Sequence, residues 1–581
     1  MCGIVGIFDT NAPLNEKLIE QTKNGLNKIK HRGPDFSGLY LNCHIALGHA
    51  KLSILDFSER SNQPVETSNS VIALNGEIYN YKSLIFQFNM PDSFIDAHVI
   101  SFLYDKFGID FLSYIEGDFA LAIYDKRLNK LFLIRDRLGV KQLVYKICDD
   151  KIYFSSEVKG LIPYGIVKEP NIDKIFRDLY LWFWDSKCET YFKDIYHVNP
   201  GEYIEFSQNG FKKCEYWTPL NQISENISKD EILSRLEKAT VSRLQGVAKS
   251  ATLLSGGLDS SLLTAIVAKN SKQPVFSMTI QYDKNENNID FQYAQDVVKK
   301  YPNIIHNTVH VSHDDISVPF LEKATYHMEE VIWDKVYFSM YRNYAFAAQN
   351  GYRIVINGQG SDEVWLGYYY DFPYYQQQNL TPRFIKDYQL KNYLINDKLY
   401  NSHFASERFL LDTADKCLEN FYQKADLSDH LNAIAFWAVK TYLQNNLMQE
   451  DRMSMANSVE CRVPFTDYKF VEMAFSLPGN KKIENNIEKS IIKEIAKGYL
   501  PEGIVNRRKQ AFVNPSQNYN AIIMKYLYDN SDKISHSYYM NKIFSSYLWE
   551  DLKNQNNALP SDLYWKIAAI YQFLLTFNFE E

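Results

Sequence analysis

Cys2 stands one residue from the start of the chain, ahead of the apolar run Gly3-Ile4-Val5-Gly6-Ile7-Phe8. Removal of Met1 is expected before a small second residue and would leave the thiol beside its own α-amine. An α-amine has a reference pKa of about 7.7–8.0, which suits a general base at neutral pH. Nucleophile and base would then share one residue. Taken alone, a cysteine at position 2 is better explained by chance, with the strand behind it buried for packing. A second candidate is Leu253-Leu254-Ser255-Gly256-Gly257-Leu258-Asp259-Ser260-Ser261. It follows an apolar strand pattern and opens a helical one, so its glycines would let backbone N–H groups close around a phosphate at a helix N-terminus. Ser255, Ser260 and Ser261 add hydroxyl donors, and Asp259 is of the type that holds Mg²⁺. It is not the GxxxxGK[ST] loop. A third is Asn357-Gly358-Gln359-Gly360-Ser361-Asp362-Glu363, whose acidic pair follows the strand pattern Ile354–Ile356. Asp362 reads as a second Mg²⁺ ligand, although an acidic pair also suits a solvated helix start.

Two kinds of scaffold must carry these groups. Before residue 200, short strand patterns recur at Ile4–Phe8, Ile45–His49, Val71–Leu74, Phe119–Tyr124, Lys130–Ile134 and Ile152–Ser155. Helical patterns interrupt them at Leu14–Lys30 and Asp96–Phe107. The rhythm predicts mostly antiparallel sheet with helices outside, closing on a hairpin after Asn199-Pro200-Gly201. A polar stretch, Thr218–Asn226, reads as the linker. Beyond it strands at Thr252–Leu254, Pro274–Ile280, Ile305–Val311 and Arg353–Ile356 alternate with helical patterns at Lys229–Leu244 and from Phe291. That alternation predicts a doubly wound parallel sheet. From about Tyr368 the chain reads as helical and aromatic.

Three segments, MCGIVGIF, His31–Asp35 (HRGPD) and Asn75–Asn80 (NGEIYN), resemble the class II glutamine amidotransferase domain in order and spacing. SGGLDSS is similar to the pyrophosphate loop of ATP pyrophosphatases. Glu450–Ala456 and Val459–Phe465 resemble the DRxSMAxxxExRxPF stretch of the glutamine-hydrolysing asparagine synthetase family, and matches run in family order from Cys2 to about Pro515. The resemblance implies an N-terminal αββα Ntn-hydrolase sandwich over 2–215 and an ATP-pyrophosphatase-type synthetase domain with added helices over 228–581. It implies a carbon–nitrogen ligase: Cys2 releases ammonia from glutamine, and the ammonia attacks a carboxylate activated by ATP as an acyl-adenylate, with AMP and PPi released.

The family's roles fall on particular residues of this chain. Cys2 would be the nucleophile, with the Asn75 side-chain amide and the Gly76 N–H as donors to the developing oxyanion. Lys51, Leu52, Ser53, Ile54, Leu55, Asn75, Gly76, Glu77 and Asp96 would surround glutamine. Lys51 stands where the family has a carboxylate-binding arginine, so the charge is kept and the bidentate fork lost. Asp96 would take the α-amine, while His98, where the family has Glu, reads as a packing residue. Arg32 reads as a brace for the turn at Gly33-Pro34. Leu254, Ser255, Gly256, Gly257, Asp259, Ser260, Met278, Asn357 and Gly358 would hold ATP, Asp259 and Asp362 would hold Mg²⁺, and Lys489 would neutralise the phosphates and the oxyanion of amide formation. Most charges of 450–465 read as an internal ion-pair lattice. Gln359 replaces a Glu of some relatives, Val247 and Lys249 replace the Asp and Pro of a DVP turn, and Ala511 replaces Gly in a terminal RxKxGF pattern.

Composition sets outer bounds. At 581 residues more than one core is expected, and 46% hydrophobic with 23% charged residues excludes wholesale disorder. A net charge of −7 gives no reason to expect nucleic acid or an anionic membrane as partner. The 42 Tyr and 36 Phe fit codon bias better than function. The seven cysteines, at 2, 43, 148, 188, 214, 417 and 461, form no CxxC pair, so neither a disulfide framework nor a zinc site is expected. Without a secretory leader or a long apolar run, a cytoplasmic protein is expected, with a homodimer left open. Aspartate is the leading acceptor. A uronic acid of a glycan or a specialised metabolite, a cyclase that has lost glutamine use, and an inactive regulator are the alternatives. The intact Cys2, Asp259 and Asp362 speak against the last.

Overall fold

A computed structural model describes residues 2–181, 188–219, 226–282, 289–312, 317–333, 336–368, 375, 429–509, 519–553 and 561–580. Most of the linker, Cys417, Ala511 and the aromatic stretch 376–428 therefore lie outside the described residues.

The amino-terminal half is built from β1 (Gly3–Asp9), β2 (Phe36–Leu41), β3 (Ile45–Lys51), β4 (Val65–Glu66), β5 (Ser70–Ile78), β6 (Gly117–Asp125), β7 (Lys130–Arg135), β8 (Val144–Cys148), β9 (Lys151–Ser155), β10 (Tyr196–His197), β11 (Glu202–Ser207) and β12 (Gly210–Glu215). Its helices are α1 (Glu16–Lys28), α2 (Tyr81–Gln87), α3 (Asp96–Phe107) and α4 (Ile172–Leu181). The strands form two six-stranded antiparallel sheets, ordered β10-β8-β9-β1-β3-β2 and β12-β11-β7-β6-β5-β4. Side chains alternate across a strand, and here both faces are covered. Ile4 and Phe8 of β1 meet Val71 and Ala73 of β5 between the sheets. Val5 and Ile7 point the other way onto Leu26 of α1, while Ile72 and Leu74 pack on Val99 and Leu103 of α3. The result is the predicted helix–sheet–sheet–helix sandwich, and double-sided burial is why its strands read as continuous apolar runs.

The second half contains β13 (Ser250–Leu253), β14 (Val275–Tyr282), β15 (Ile304–Val311), β16 (Ile354–Ile356) and β17 (Glu460–Arg462). They form one parallel sheet, ordered β15-β14-β13-β16-β17. The chain winds outward from β13 through β14 to β15, then returns to the other side of β13 as β16. The order reverses between β13 and β16, where open α/β sheets bind ligands at the carboxyl ends of their strands. Its helices are α5 (Lys229–Ser242), α6 (Leu258–Asn270), α7 (Ile289–Lys300), α8 (Val318–Met328), α9 (Val336–Gln349), α10 (Ser361–Trp365), α11 (His430–Lys440), α12 (Tyr442–Met455), α13 (Tyr468–Ser476), α14 (Ser490–Ala496) and α15 (Glu502–Val505). Further helices, the last of them Ser561–Thr576, complete the chain. The start of α5 is fixed by a reciprocal cap: Glu231 N–H donates to Ser228 Oγ (3.2 Å) and Ser228 N–H to Glu231 Oε2 (2.8 Å). Among the described residues no helix is long and apolar enough to cross a membrane.

Candidate active sites

Cys2 is buried just before β1, and its backbone N–H donates to Asn75 Oδ1 at 3.0 Å. One hydrogen bond thus ties the two sheets together at the edge where the thiol lies. Asn75 is fully buried, and its Nδ2 has no hydrogen-bond partner among the described residues. Gly76 follows with φ of +141°, and a Cβ there would stand 2.1 Å from the Asp118 carbonyl oxygen. Only glycine lets β5 run this close to β6 at that φ. Burial pushes the Cys2 thiol up to about 11. A thiol in such a place is inert unless a neighbouring base or cation changes its charge balance.

The residues expected around glutamine converge on this corner. Lys51 is buried, and its Nζ donates to Ser58 O (2.9 Å) and Asn62 Oδ1 (3.0 Å). Burial lowers its pKa, while the Cys2 thiol is near enough to act on it electrostatically. Ser53 N–H donates to Asp35 Oδ2 (2.7 Å), and the Ile54 carbonyl accepts from Val247 and Ala248 of the second domain (2.9 and 3.2 Å). Residues 51–54 are therefore a wedge between domains as well as a wall. The replaced DVP turn supplies those two donors. Asp96 heads α3 and accepts from the Ala97 N–H at 2.8 Å; burial raises its carboxyl to about 7. Burial and Glu460 also raise Glu77 well above the carboxylate range, and Glu77 faces Arg462 of β17 at 3.4 Å. His98 packs beside Phe94, ring centroids 5.4 Å apart, in keeping with a packing role.

Arg32 does not brace its own turn. It is fully buried; Nε donates to the Cys2 carbonyl (3.0 Å), while its two terminal nitrogens reach Asp451 Oδ2 and Oδ1 (2.9 and 3.1 Å) and Glu157 Oε1 (2.8 Å). The lattice expected of 450–465 is present: Arg452 pairs with Glu157 and Glu329 (3.2 and 3.0 Å), and Arg462 with Glu460 (2.8 Å).

The second site is a cavity of about 460 Å³ at the reversal point of the parallel sheet. Leu254, Ser255, Gly257, Asp259, Ser260, Met278, Asn357, Gly358, Asp362 and Lys489 all line it. Gly256 does not. It turns with φ of +73° against α7, where a Cβ would meet the Asp290 carbonyl oxygen at 2.2 Å. Ser255 and Ser260 hydroxyls lie 2.9 Å apart across the loop mouth. Lys489 bridges the two aspartates, 2.7 Å from Asp259 Oδ2 and 2.6 Å from Asp362 Oδ1, and Lys509 takes the other Asp362 oxygen at 2.8 Å. Burial alone would raise the Asp362 carboxyl, yet Lys489 and Lys509 hold it below the usual range. Lys489 itself adopts a left-handed φ of +51°, uncommon for a residue with a side chain. Gly367 makes room for the pair, since a Cβ there would be 2.0 Å from Asp362 Oδ1.

Further residues join this network without a role legible in the sequence. Ser361 Oγ donates to Asp259 Oδ1 at 2.6 Å. Glu450 lines the cavity, accepts from Asn357 Nδ2 at 2.6 Å and from the Tyr344 hydroxyl, and is raised by burial to about 7. Tyr344 belongs to a helix without motif, and only the Glu450-Asp451 pair in the family stretch could have marked this network. Beneath Gln359, Glu363 accepts from Tyr368 (2.6 Å) and Asn446 (2.9 Å), so a carboxylate stands near the neutral amide.

Comparison with known proteins divides the chain into the same two halves. The family model described as asparagine synthase matches residues 231–573, and that described as glutamine amidotransferase domain matches 1–217. "Asparagine synthetase [glutamine-hydrolyzing] 3" of Bacillus subtilis is 28% identical over 560 residues, covering 88% of this chain and 87% of that protein. "Asparagine synthetase B [glutamine-hydrolyzing]" of Escherichia coli is 27% identical, with 88% and 82% covered. "Amidase chry2" of Gibberella zeae is 25% identical, with 86% of each covered. Because the asparagine synthase match spans residues 231–573 and the glutamine amidotransferase match spans 1–217, the chain belongs to the asparagine synthase family and carries a glutamine amidotransferase domain ahead of it.

Proposed function

We propose that the protein forms an amide on a carboxylic acid with glutamine as nitrogen donor and ATP as activator, and that the acid is aspartate, giving asparagine. The observation that carries the glutamine half of this reading is Asn75. Its Oδ1 holds the Cys2 backbone while its Nδ2 is buried and unpaired. A dry N–H₂ group is costly to leave unmade and is what an oxyanion requires. Cys2, freed of Met1, attacks the glutamine amide, its own amine takes the thiol proton, and Asn75 with Gly76 stabilises the tetrahedral charge. Lys51 and Asp96 hold the α-carboxylate and α-amine of glutamine. In the cavity the loop 254–260 holds the triphosphate and Lys489 neutralises charge as ammonia attacks the acyl-adenylate.

The donor set also suits Mg²⁺, which takes one or two carboxylates together with substrate phosphates. Asp259 and Asp362 already turn an oxygen each toward one cation, the Lys489 ammonium. These two residues would hold the ion, which would supply charge neutralisation for the phosphates. Among the described residues no cluster of three or more ligating side chains exists, so the phosphates would have to complete its shell.

A second reading keeps both half-reactions and changes the acid. It is favoured by the carboxamides Asn343, Asn445, Asn446 and Gln449 on the cavity wall, which suit a polyhydroxylated acid. A cytoplasmic location and a homodimer go with either reading. The test is a release assay with glutamine, ATP and a panel of acids. Asparagine, AMP and PPi in step are expected with aspartate. Cys2→Ala should lose glutamine-driven synthesis and keep synthesis from ammonium. ADP and phosphate as products would overturn the nucleotide half, and a uronic acid outrunning aspartate would select the second reading.

A further inference from the structure

Among the ion pairs joining the two domains, one also touches the nucleophile. We propose that Asp451, on α12 of the second domain, is a positioning residue for Cys2 of the first, acting through Arg32. This rests on the reading of Cys2 as nucleophile. Asp451 grips the Arg32 guanidinium with both carboxylate oxygens, at 2.9 and 3.1 Å, and the remaining Nε–H is thereby aimed at the Cys2 carbonyl at 3.0 Å. A guanidinium is planar and rigid, so fixing one edge fixes the direction of the other. The Cys2 N–H is held by Asn75 and the Cys2 C=O by Arg32, which leaves the backbone of the nucleophile clamped at both ends.

The clamp is dry. Arg32, Glu157, Asp451 and Arg452 are all buried, and although burial opposes it, Asp451 and Glu157 keep the Arg32 charge strongly favoured. Glu157 is held in turn by Lys159 and Arg452. Among the described partners of Arg32, Asp451 comes from the second domain, 419 positions away in sequence. Among the described residues, two cross-domain pairs on Glu116 lack this property. Arg235 with Glu116 (3.2 Å) and Lys469 with Glu116 (2.5 Å) tie the domains together without touching Cys2. Consecutive residues of a helix point about 100° apart, so Glu450 faces the nucleotide cavity while Asp451 faces Arg32. The helix that walls one site thus sets the nucleophile of the other.

The test uses the full chain and glutamine hydrolysis without acceptor. Asp451→Asn should lower kcat by about tenfold to a hundredfold, as small misplacements of a reacting group do, with the glutamine KM moved far less. Ammonia-driven PPi release should stay near the parent's, while the melting temperature falls because a buried charge loses one partner. Asp451→Glu should recover part of the loss. Glu116→Gln, which loosens docking only, should leave kcat unchanged. If Asp451→Asn does not fold, Arg32→Lys replaces it and should show the same fall in kcat with ammonia-driven PPi release retained. Parent kcat in Asp451→Asn or Arg32→Lys overturns the proposal, and so does an equal fall in Glu116→Gln. Cys2→Ala separates the two claims. Hydrolysis that survives it refutes the nucleophile itself, whereas hydrolysis that needs Cys2 but ignores Asp451 refutes only the positioning role.

Discussion

Lys489 Nζ lies 2.6 Å from Asp362 Oδ1 in a buried ion pair, with the lysine backbone in the left-handed region. A side-chain-bearing residue stays at positive φ only where its surroundings over-determine it, and such residues gather at functional sites. Here the surroundings are visible. Gly367 leaves space that any Cβ would fill, and Asp259 offers the ammonium a second carboxylate at 2.7 Å. Two ionised acids this close repel unless a cation lies between them, and the Lys489 ammonium is that cation here.

Asp362→Asn and Asp259→Asn are therefore expected to cut PPi release by about a hundredfold or more, as loss of a preorganised charge at a transferring phosphate does. Glutamine hydrolysis in the same variants should persist, because Cys2 lies in the other domain. Single-turnover PPi assays beside a glutaminase assay check both halves. Parent-like PPi release in Asp259→Asn would remove that residue from nucleotide activation.

At Gly76 the expected effect is on the fold. An Ala would need φ near +141° and would drive its Cβ to 2.1 Å from the Asp118 carbonyl oxygen and 2.7 Å from Phe119 Cα, both backbone atoms that cannot swing aside. Gly76→Ala should cost about 3 kcal/mol or more, through parting of β5 from β6. Urea unfolding measures it, and a loss under about 1 kcal/mol would mean that the pair bends more easily than its packing implies.

Much of this architecture was legible in the sequence because its determinants are local. Helix α3 runs over Asp96–Phe107, as its apolar spacing predicts. The loop 254–260 stands where strand and glycine patterns meet. Strand β2, Phe36–Leu41, went unread because it is a half-exposed edge without clean alternation. Strand β17 went unread because two of its three residues are charged, and only the pairing of Arg462 with Glu460 makes them buriable. The partner of Arg32 was invisible for the same reason on a longer scale. A link between positions 32 and 451 leaves no periodic trace, so the nearest turn was the natural but mistaken partner.

Glu450 should make stability depend on pH. Burial raises its carboxyl from about 4.5 to about 7, so the folded protein keeps a proton that the unfolded chain has lost between those values. Its contribution is complete below about pH 4.5 and is lost as pH rises to about 7, a change of roughly 3 kcal/mol at most. Glu450→Gln cannot titrate there. The melting temperature of the parent relative to this variant should fall between pH 5 and pH 8, and a constant difference would show that the carboxyl titrates normally.

At Lys51 the expected effect is on glutamine affinity. An ammonium has three donors, and two are committed to Ser58 O and Asn62 Oδ1. One remains for the α-carboxylate of glutamine, where an arginine would have offered a parallel pair. A charge-assisted hydrogen bond contributes roughly 1.5–3 kcal/mol, so Lys51→Ala should raise the glutamine KM by about tenfold or more. The loop 58–62 would also lose its anchor, which adds to the effect on KM and not to turnover of bound glutamine. Ammonia-driven synthesis should be unchanged, since that site uses neither Lys51 nor the loop. Lys51→Arg should lower the KM if its fork fits the space that Ser58 and Asn62 leave. Steady-state kinetics with glutamine and with ammonium as alternative donors separate these effects. An unmoved glutamine KM in Lys51→Ala would place the carboxylate on another residue, and a fall in the ammonia-driven rate would mean that the wedge at 51–54 couples the domains more than it binds glutamine.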